Sequence, residues 1–66
     1  MQLKLNDQHI ETQASNLYEL MEEKAFLSKT GIAVAINDRV IRREQWADKQ
    51  LSENDVVLVI TAAAGG

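Results

Sequence analysis

The chain has no cysteine and no proline, and only three glycines and three aromatic residues among its 66 residues. Without cysteine it can form neither a disulfide framework nor a thiolate metal site, and the single histidine, His9, cannot make a ligand cluster alone. Such a composition fits a reducing compartment. With proline absent, no residue interrupts the ladder of a strand. No run is long and apolar enough to span a bilayer, and Met1-Gln2-Leu3-Lys4-Leu5 lacks the basic and apolar regions of a signal peptide. The expected setting is therefore the cytoplasm, with no membrane partner.

Basic charge is also scarce. Seven lysines and arginines against ten carboxylates leave a formal charge of −3. A nucleic-acid binder needs a basic stripe to offset phosphate charge, so no nucleic-acid partner is expected. Arg39, Arg42 and Arg43 cluster, but Asp38 and Glu44 lie among them, and the group reads as a mixed solvated face. The length allows one domain. A chain of this size buries only about 60% of the surface its unfolded form exposes, so its core is small.

Met1 to Asn6 alternates, with Met1, Leu3 and Leu5 on one side and Gln2, Lys4 and Asn6 on the other. This predicts a strand with one buried face. Asn6-Asp7 predicts a tight turn, and a weaker strand follows through His9, Ile10, Glu11 and Thr12, with Ile10 inward. Asn16, three residues before Glu19, is an asparagine variant of the capping box. Behind it Leu17, Leu20 and Met21 recur at helical spacing, predicting a helix over Leu17–Leu27.

Ile32-Ala33-Val34-Ala35-Ile36 predicts a strand buried on both faces. Asn37-Asp38 is a second turn, leading into Val40-Ile41. Arg43-Glu44-Gln45-Trp46-Ala47 loses period two and predicts an irregular or 3₁₀ turn, with Trp46 in the core and Leu51 on a further short strand. Ser52-Glu53-Asn54-Asp55 is a turn before Val56-Val57-Leu58-Val59-Ile60, the strongest strand-forming run in the chain. One helix laid on one face of a mixed sheet of four to five strands is an α+β arrangement.

One helix covers one face, yet both alternating sets of the last strand are apolar. If Val57 and Val59 meet the helix, Leu58 and Ile60 lie on the open face. That surface either docks a partner or is covered by loops or by Trp46.

Two of the three glycines are the last two residues, Gly65 and Gly66. At average usage a terminal pair arises by chance in roughly one chain in 200. An end without side chains can thread into a slot where any Cβ would collide. Extended, the last five residues reach roughly 17 Å. The carboxylate there is a poor electrophile until it is activated, typically as an acyl-adenylate formed with ATP, from which a sulfur nucleophile displaces AMP to leave a thiocarboxylate.

Taken with the element order, Val34-Ala35-Ile36-Asn37, Val40-Ile41-x-Arg43-Glu44-Gln45-Trp46 and the closing Gly65-Gly66 resemble the ThiS family, sulfur carriers of thiamine biosynthesis, over essentially the whole chain. The resemblance implies a ubiquitin-like β-grasp domain over residues 1–61 and a flexible tail over 62–66. It implies a carrier rather than an enzyme, monomeric when free and binding no cofactor or metal of its own. Gly66 would be adenylated by a ThiF-type adenylyltransferase using ATP and magnesium, with Gly65 the spacer that lets it enter. A cysteine desulfurase would supply sulfur, and a ThiG-type thiazole synthase would receive it. Leu58, Ile60 and Ala64 would face these partners. Asn54-Asp55 replaces the family's usual Gly-Asp, and Arg42 stands where proline is common. The alternatives are a related carrier for molybdopterin or another product, and a non-covalent ubiquitin-like binding module. A catalytic His9 would need a nucleophile and an orienting acid nearby, and no spacing supplies them.

Overall fold

In the computed structural model, which describes residues 1–28 and 30–61, the chain runs β1 (Gln2–Leu5), β2 (Gln8–Glu11), α1 (Leu17–Glu23), β3 (Ile32–Ile36), β4 (Arg39–Ile41), a 3₁₀ segment (Arg43–Asp48) and β5 (Val56–Thr61). The strands form one mixed sheet in the order β2-β1-β5-β3-β4. The last strand in sequence is thus the middle strand in space. It runs parallel to β1 through Lys4↔Val56 and Leu5↔Val57, and antiparallel to β3 from Ile32↔Thr61 to Ile36↔Val57. This is the expected α+β, β-grasp arrangement, with five strands.

Two asparagine-aspartate pairs set the outer registers. Asn6 and Asp7 have φ of 48° and 68°, and Asn37 and Asp38 have 51° and 70°. Positive φ at both central positions is the type I′ geometry whose twist matches that of paired strands. The first turn closes Leu5 onto Gln8 and the second closes Ile36 onto Arg39. Asn54, at φ 69°, takes the same left-handed backbone before β5, as asparagine tolerates better than most residues.

The helix is shorter than the periodicity predicts, ending at Glu23 and not at Leu27. Ala25 stands in the left-handed region at φ 65°. Its N–H bonds to the Glu22 carbonyl at 3.1 Å, and the Phe26 N–H reaches back to Met21 at 2.8 Å. Those two bonds make a Schellman stop, and Phe26 turns inward to pack against the core. The start follows the asparagine-led capping box. Asn16 Oδ1 accepts from the Glu19 N–H at 2.8 Å, and Glu19 Oε1 accepts from both the N–H and the hydroxyl of Ser15, at 2.8 and 2.9 Å. The carboxylate thus reaches one residue further back than in the usual box.

Leu17, Leu20 and Met21, at i, i+3 and i+4, are wholly buried against Leu3, Val34, Ile36, Trp46, Leu51, Val57 and Val59. Burying one such side chain contributes about 1.5–3 kcal/mol. Two expectations need correction. β3 is buried on one face only: Val34 and Ile36 are inside, while Ala33 is exposed and Ala35 half-buried. Among the described residues one helix covers one face and nothing covers the other, and alanine exposes little apolar area there. Leu51 is buried but extends no strand of the sheet. Its N–H bonds to the Ser15 carbonyl at 3.0 Å beside an isolated Asn16↔Gln50 bridge, which ties the last loop to the helix start. β2 begins at Gln8 and ends at Glu11, so Thr12 lies just beyond it.

Glycine adopts positive φ without the Cβ clash that Ala25 meets. Ala25→Gly is therefore expected to stabilise the fold by about 1 kcal/mol, read as a higher midpoint of urea unfolding; a lower midpoint contradicts the strain. Hydrogen bonds from the Ser15 backbone and hydroxyl hold the Glu19 carboxyl below its ordinary value of 4.5. The stability this group adds is complete above 4.5 and fades as pH falls through its lower folded value. Glu19→Gln should flatten the acid limb of the stability–pH curve and leave the neutral-to-basic limb parallel to that of the native chain.

Candidate functional site

Alternation along β5 divides its side chains between two tasks. Val57 and Val59 point to the helix and are 1% and 8% exposed. Val56, Leu58 and Ile60 point the other way and are 48%, 45% and 53% exposed. Leu58 pairs with Ala35, which pairs with Val40, itself 73% exposed; Ile60 pairs with Ala33. The open face thus carries a continuous apolar stripe across β5, β3 and β4. Leu58 and Ile60 lie where the sequence placed them. Val56, in the same alternating set, lies with them; Ala33, Ala35 and Val40 join them unforeseen, because β3 reads as doubly buried and the neighbour relation of β3 to β5 is not a local property of the chain.

Hydrogen bonds at the start and along the middle of β5 hold this division in place. At its start, Asp55 is 9% exposed. Its carboxylate accepts from the Ser52 N–H at 2.8 Å and from Asn37 Nδ2 at 3.0 Å, while Asn37 Oδ1 accepts from the Val56 N–H at 3.0 Å. The second hairpin is in this way bolted to the turn that launches β5. Further along, β1 ends, and Asn6 continues its ladder. The Asn6 N–H donates to the Val57 carbonyl at 2.9 Å, and Asn6 Oδ1 accepts from the Val59 N–H at 2.8 Å. These polar partners are absent from the sequence reading, since their signal is only a turn residue with an amide or carboxylate side chain.

Trp46 is core, as expected. It is 1% exposed, and its indole N–H donates to the Ile41 carbonyl at 3.1 Å. The Arg43 guanidinium lies 4.9 Å from the centre of its ring and also bonds to the Leu27 carbonyl. The Arg-Glu-Gln-Trp segment therefore fastens the 3₁₀ segment to β4 and to the loop after α1, on the face away from the stripe. Thr12 is a further buried polar anchor, donating to Glu23 at 2.8 Å and accepting from the Ala14 N–H at 3.0 Å.

Little here could perform chemistry on a small molecule. A shallow cleft of about 280 Å³ beside the 3₁₀ segment is lined by Ile41, Gln45, Asp48 and Lys49, just under the roughly 300–1,000 Å³ of small-molecule sites. It contains no nucleophile with an adjacent base. Among the described residues no group of histidine, aspartate and glutamate side chains could hold a metal ion, and no helix is long and apolar enough to cross a membrane. His9 pairs with Lys4 on the exposed side of the first hairpin. Ala64, Gly65 and Gly66 lie outside the described residues, as does the tail over 62–66.

The model of the ThiS family matches residues 2–66. The chain belongs to the ThiS family. It is 33% identical over 66 residues to the sulfur carrier protein ThiS of Escherichia coli K12, covering all of both chains. The ThiS fold itself is matched by the crystal structure of a thiamine biosynthesis protein, ThiS, from Geobacter metallireducens, with a TM-score of 0.85 over the whole of both chains at 22% identity. The family is thus one of sulfur carriers, and the β-grasp sheet with its uncovered face is the ThiS frame in this chain.

The two-sided character of β5 makes a paired expectation. Val57→Ala should cost about 2 kcal/mol, the loss of two buried carbons plus the cavity they leave. Leu58→Thr, which keeps a branched strand former, should change stability by no more than about 0.5 kcal/mol. Equal losses in chemical denaturation would show that the open face is part of the core.

Proposed function

We propose that the chain is a sulfur carrier for thiazole formation in thiamine biosynthesis, working through the carboxylate of Gly66. The observation that carries this reading is the end-to-end match to the ThiS family, whose model extends through residue 66 and so takes in Gly65-Gly66. The fold supplies a rigid base for such a tail, because β5 is the middle strand and ends at Thr61.

In this reading the Gly66 carboxylate attacks the α-phosphorus of ATP on a ThiF-type adenylyltransferase that holds the magnesium. A C–O–P linkage forms and pyrophosphate leaves. The terminal sulfur of a persulfide originating from a cysteine desulfurase then attacks the acyl carbon and AMP departs; a thiol cleaves the resulting acyl disulfide, leaving a thiocarboxylate with one oxygen exchanged for sulfur and the two remaining sulfurs joined as a disulfide. A ThiG-type thiazole synthase takes up that sulfur, and the carboxylate returns. Gly65 keeps the approach free of a Cβ. Ala64, with Leu58 and Ile60, makes the protein–protein contact. The chain supplies no catalytic group; it presents the acyl carbon and a surface by which partners recognise it. The setting is the cytoplasm, where ATP and reduced sulfur donors are both at hand.

Incubation with ATP, magnesium, the adenylyltransferase, a persulfide donor and a thiol reductant should add about 16 Da at Gly66, one oxygen replaced by sulfur. Intact-mass spectrometry with fragmentation locates the gain. Gly66→Ala should keep the unfolding midpoint of the native chain yet lose most of the modification. An unchanged mass in the native chain, beside a control carrier that is modified, would sink the proposal; normal modification of Gly66→Ala would sink the threading argument.

A further inference from the structure

We infer that Arg42 selects the partner that docks on the open face, by pairing with a carboxylate at the rim of that partner's apolar surface. The inference rests on the sulfur-carrier reading for the identity of the partner, and on the sheet register for the site. In the β3–β4 ladder Val34 faces Ile41 and Ala35 faces Val40. Continuing that register one step past the end of β4 sets Arg42 opposite Ala33, and the Arg42 backbone there is still extended at φ −66° and ψ 148°. Val40 points to the open face and Ile41 packs against the core, so alternation returns Arg42 to the open face. Ala33 pairs on its other side with Ile60. Arg42, Ala33 and Ile60 thus form one row across the sheet, at the end where β5 runs out at Thr61. With strands spaced about 4.8 Å apart, the Arg42 backbone lies roughly 10 Å from that of Ile60.

The far border of the stripe is also cationic. Lys4 pairs with Val56 across the β1–β5 ladder, and His9 lies beside it. Among the described residues no carboxylate forms a salt bridge with Lys4 or Arg42, and none is placed within the stripe by the registers of β3, β4 and β5. Glu19, Glu22 and Glu23 instead project from the helix on the opposite side. Glu11, on the same face beyond His9, is paired with the Met1 ammonium at 2.7 Å, so a chain of net charge −3 still offers its apolar stripe between Lys4 and Arg42. A second copy of the same face would meet it with further cations. A partner whose apolar patch is bordered by carboxylates would complement it. Rim charges of this kind act mainly on the association rate and on rejection of wrong partners.

Arg39 provides the control. It pairs with Ile36, whose side chain is in the core, so it sits on the same short strand with the opposite sense. Arg42→Glu and Arg39→Glu make the same change in net charge on opposite faces. Binding of each to the adenylyltransferase, measured by surface plasmon resonance at low and high salt, should separate them. Arg42→Glu is expected to slow association about tenfold at low salt, with the deficit shrinking at high salt. Arg39→Glu should differ from the native chain by less than about threefold, and Arg42→Lys should recover most of the rate. Circular dichroism and urea unfolding of each variant establish that the fold is intact. Equal effects of the two reversals, or none from Arg42→Glu, would overturn the inference while leaving the carrier reading untouched so long as the native chain gains its sulfur mass. A native chain that binds but gains no mass would defeat the carrier reading and leave Arg42 to be judged by the binding rates. A native chain that neither binds nor gains mass would overturn both.

Discussion

The structure depends on β5 being the middle strand of a sheet that, among the described residues, has cover on one face only. Buried between β1 and β3, it must present Val57 and Val59 to the helix, and strict alternation then forces Val56, Leu58 and Ile60 outward. Nothing in the single helix can reach them. One strand therefore holds the core together and displays an apolar surface in the same six residues. Slipping its register by one would exchange the two sets. That is why the polar bonds along it matter: the Asp55–Asn37 lock at the start and the Asn6 amide at Val59 in its middle fix where the alternation begins.

Economy elsewhere supports this arrangement. A domain this small, without cysteine, has no disulfide to stiffen it, so short-range geometry contributes much of its order. Two type I′ turns set the hairpins, an asparagine cap and a Schellman stop bound a helix of barely two turns, and Trp46 with Arg43 pins the 3₁₀ segment against it. Alanine at position 25 shows that local preference is sometimes overridden. The helix ends there because Phe26 must turn inward, although alanine is a poor residue for positive φ.

Much of this was legible in the residues. Period two in Leu3 and Leu5, the i, i+3, i+4 set of Leu17, Leu20 and Met21, and the Asn-Asp pairs are local signals, and each produced the element it predicts. The open-face position of Leu58 and Ile60 followed from counting helices against apolar faces. What escaped was non-local. Ile32–Ile36 reads as a doubly buried strand, and only pairing with β5 and β4 shows Ala33 and Ala35 facing outward. Leu51 is apolar and β-compatible, yet its N–H bonds only to the Ser15 carbonyl, beside a single Asn16↔Gln50 bridge. The buried roles of Thr12 and Asp55 depend on partners 11 and 18 residues away, which no window of sequence reveals.

A carrier of this design needs no pocket of its own. In the proposed carrier role, the fold must stay rigid while partners handle one face and the chain end, and the parity of β5 keeps the core apart from that face. The direct measurement is methyl NMR of the chain titrated with its ATP-dependent activating enzyme. The account predicts that signals of Leu58, Ile60, Val56 and Val40 shift or broaden at substoichiometric enzyme, while those of Leu17, Leu20, Val34 and Val57 stay in place. Perturbation centred on the helix face or on β2, with Leu58 and Ile60 unmoved, would contradict it.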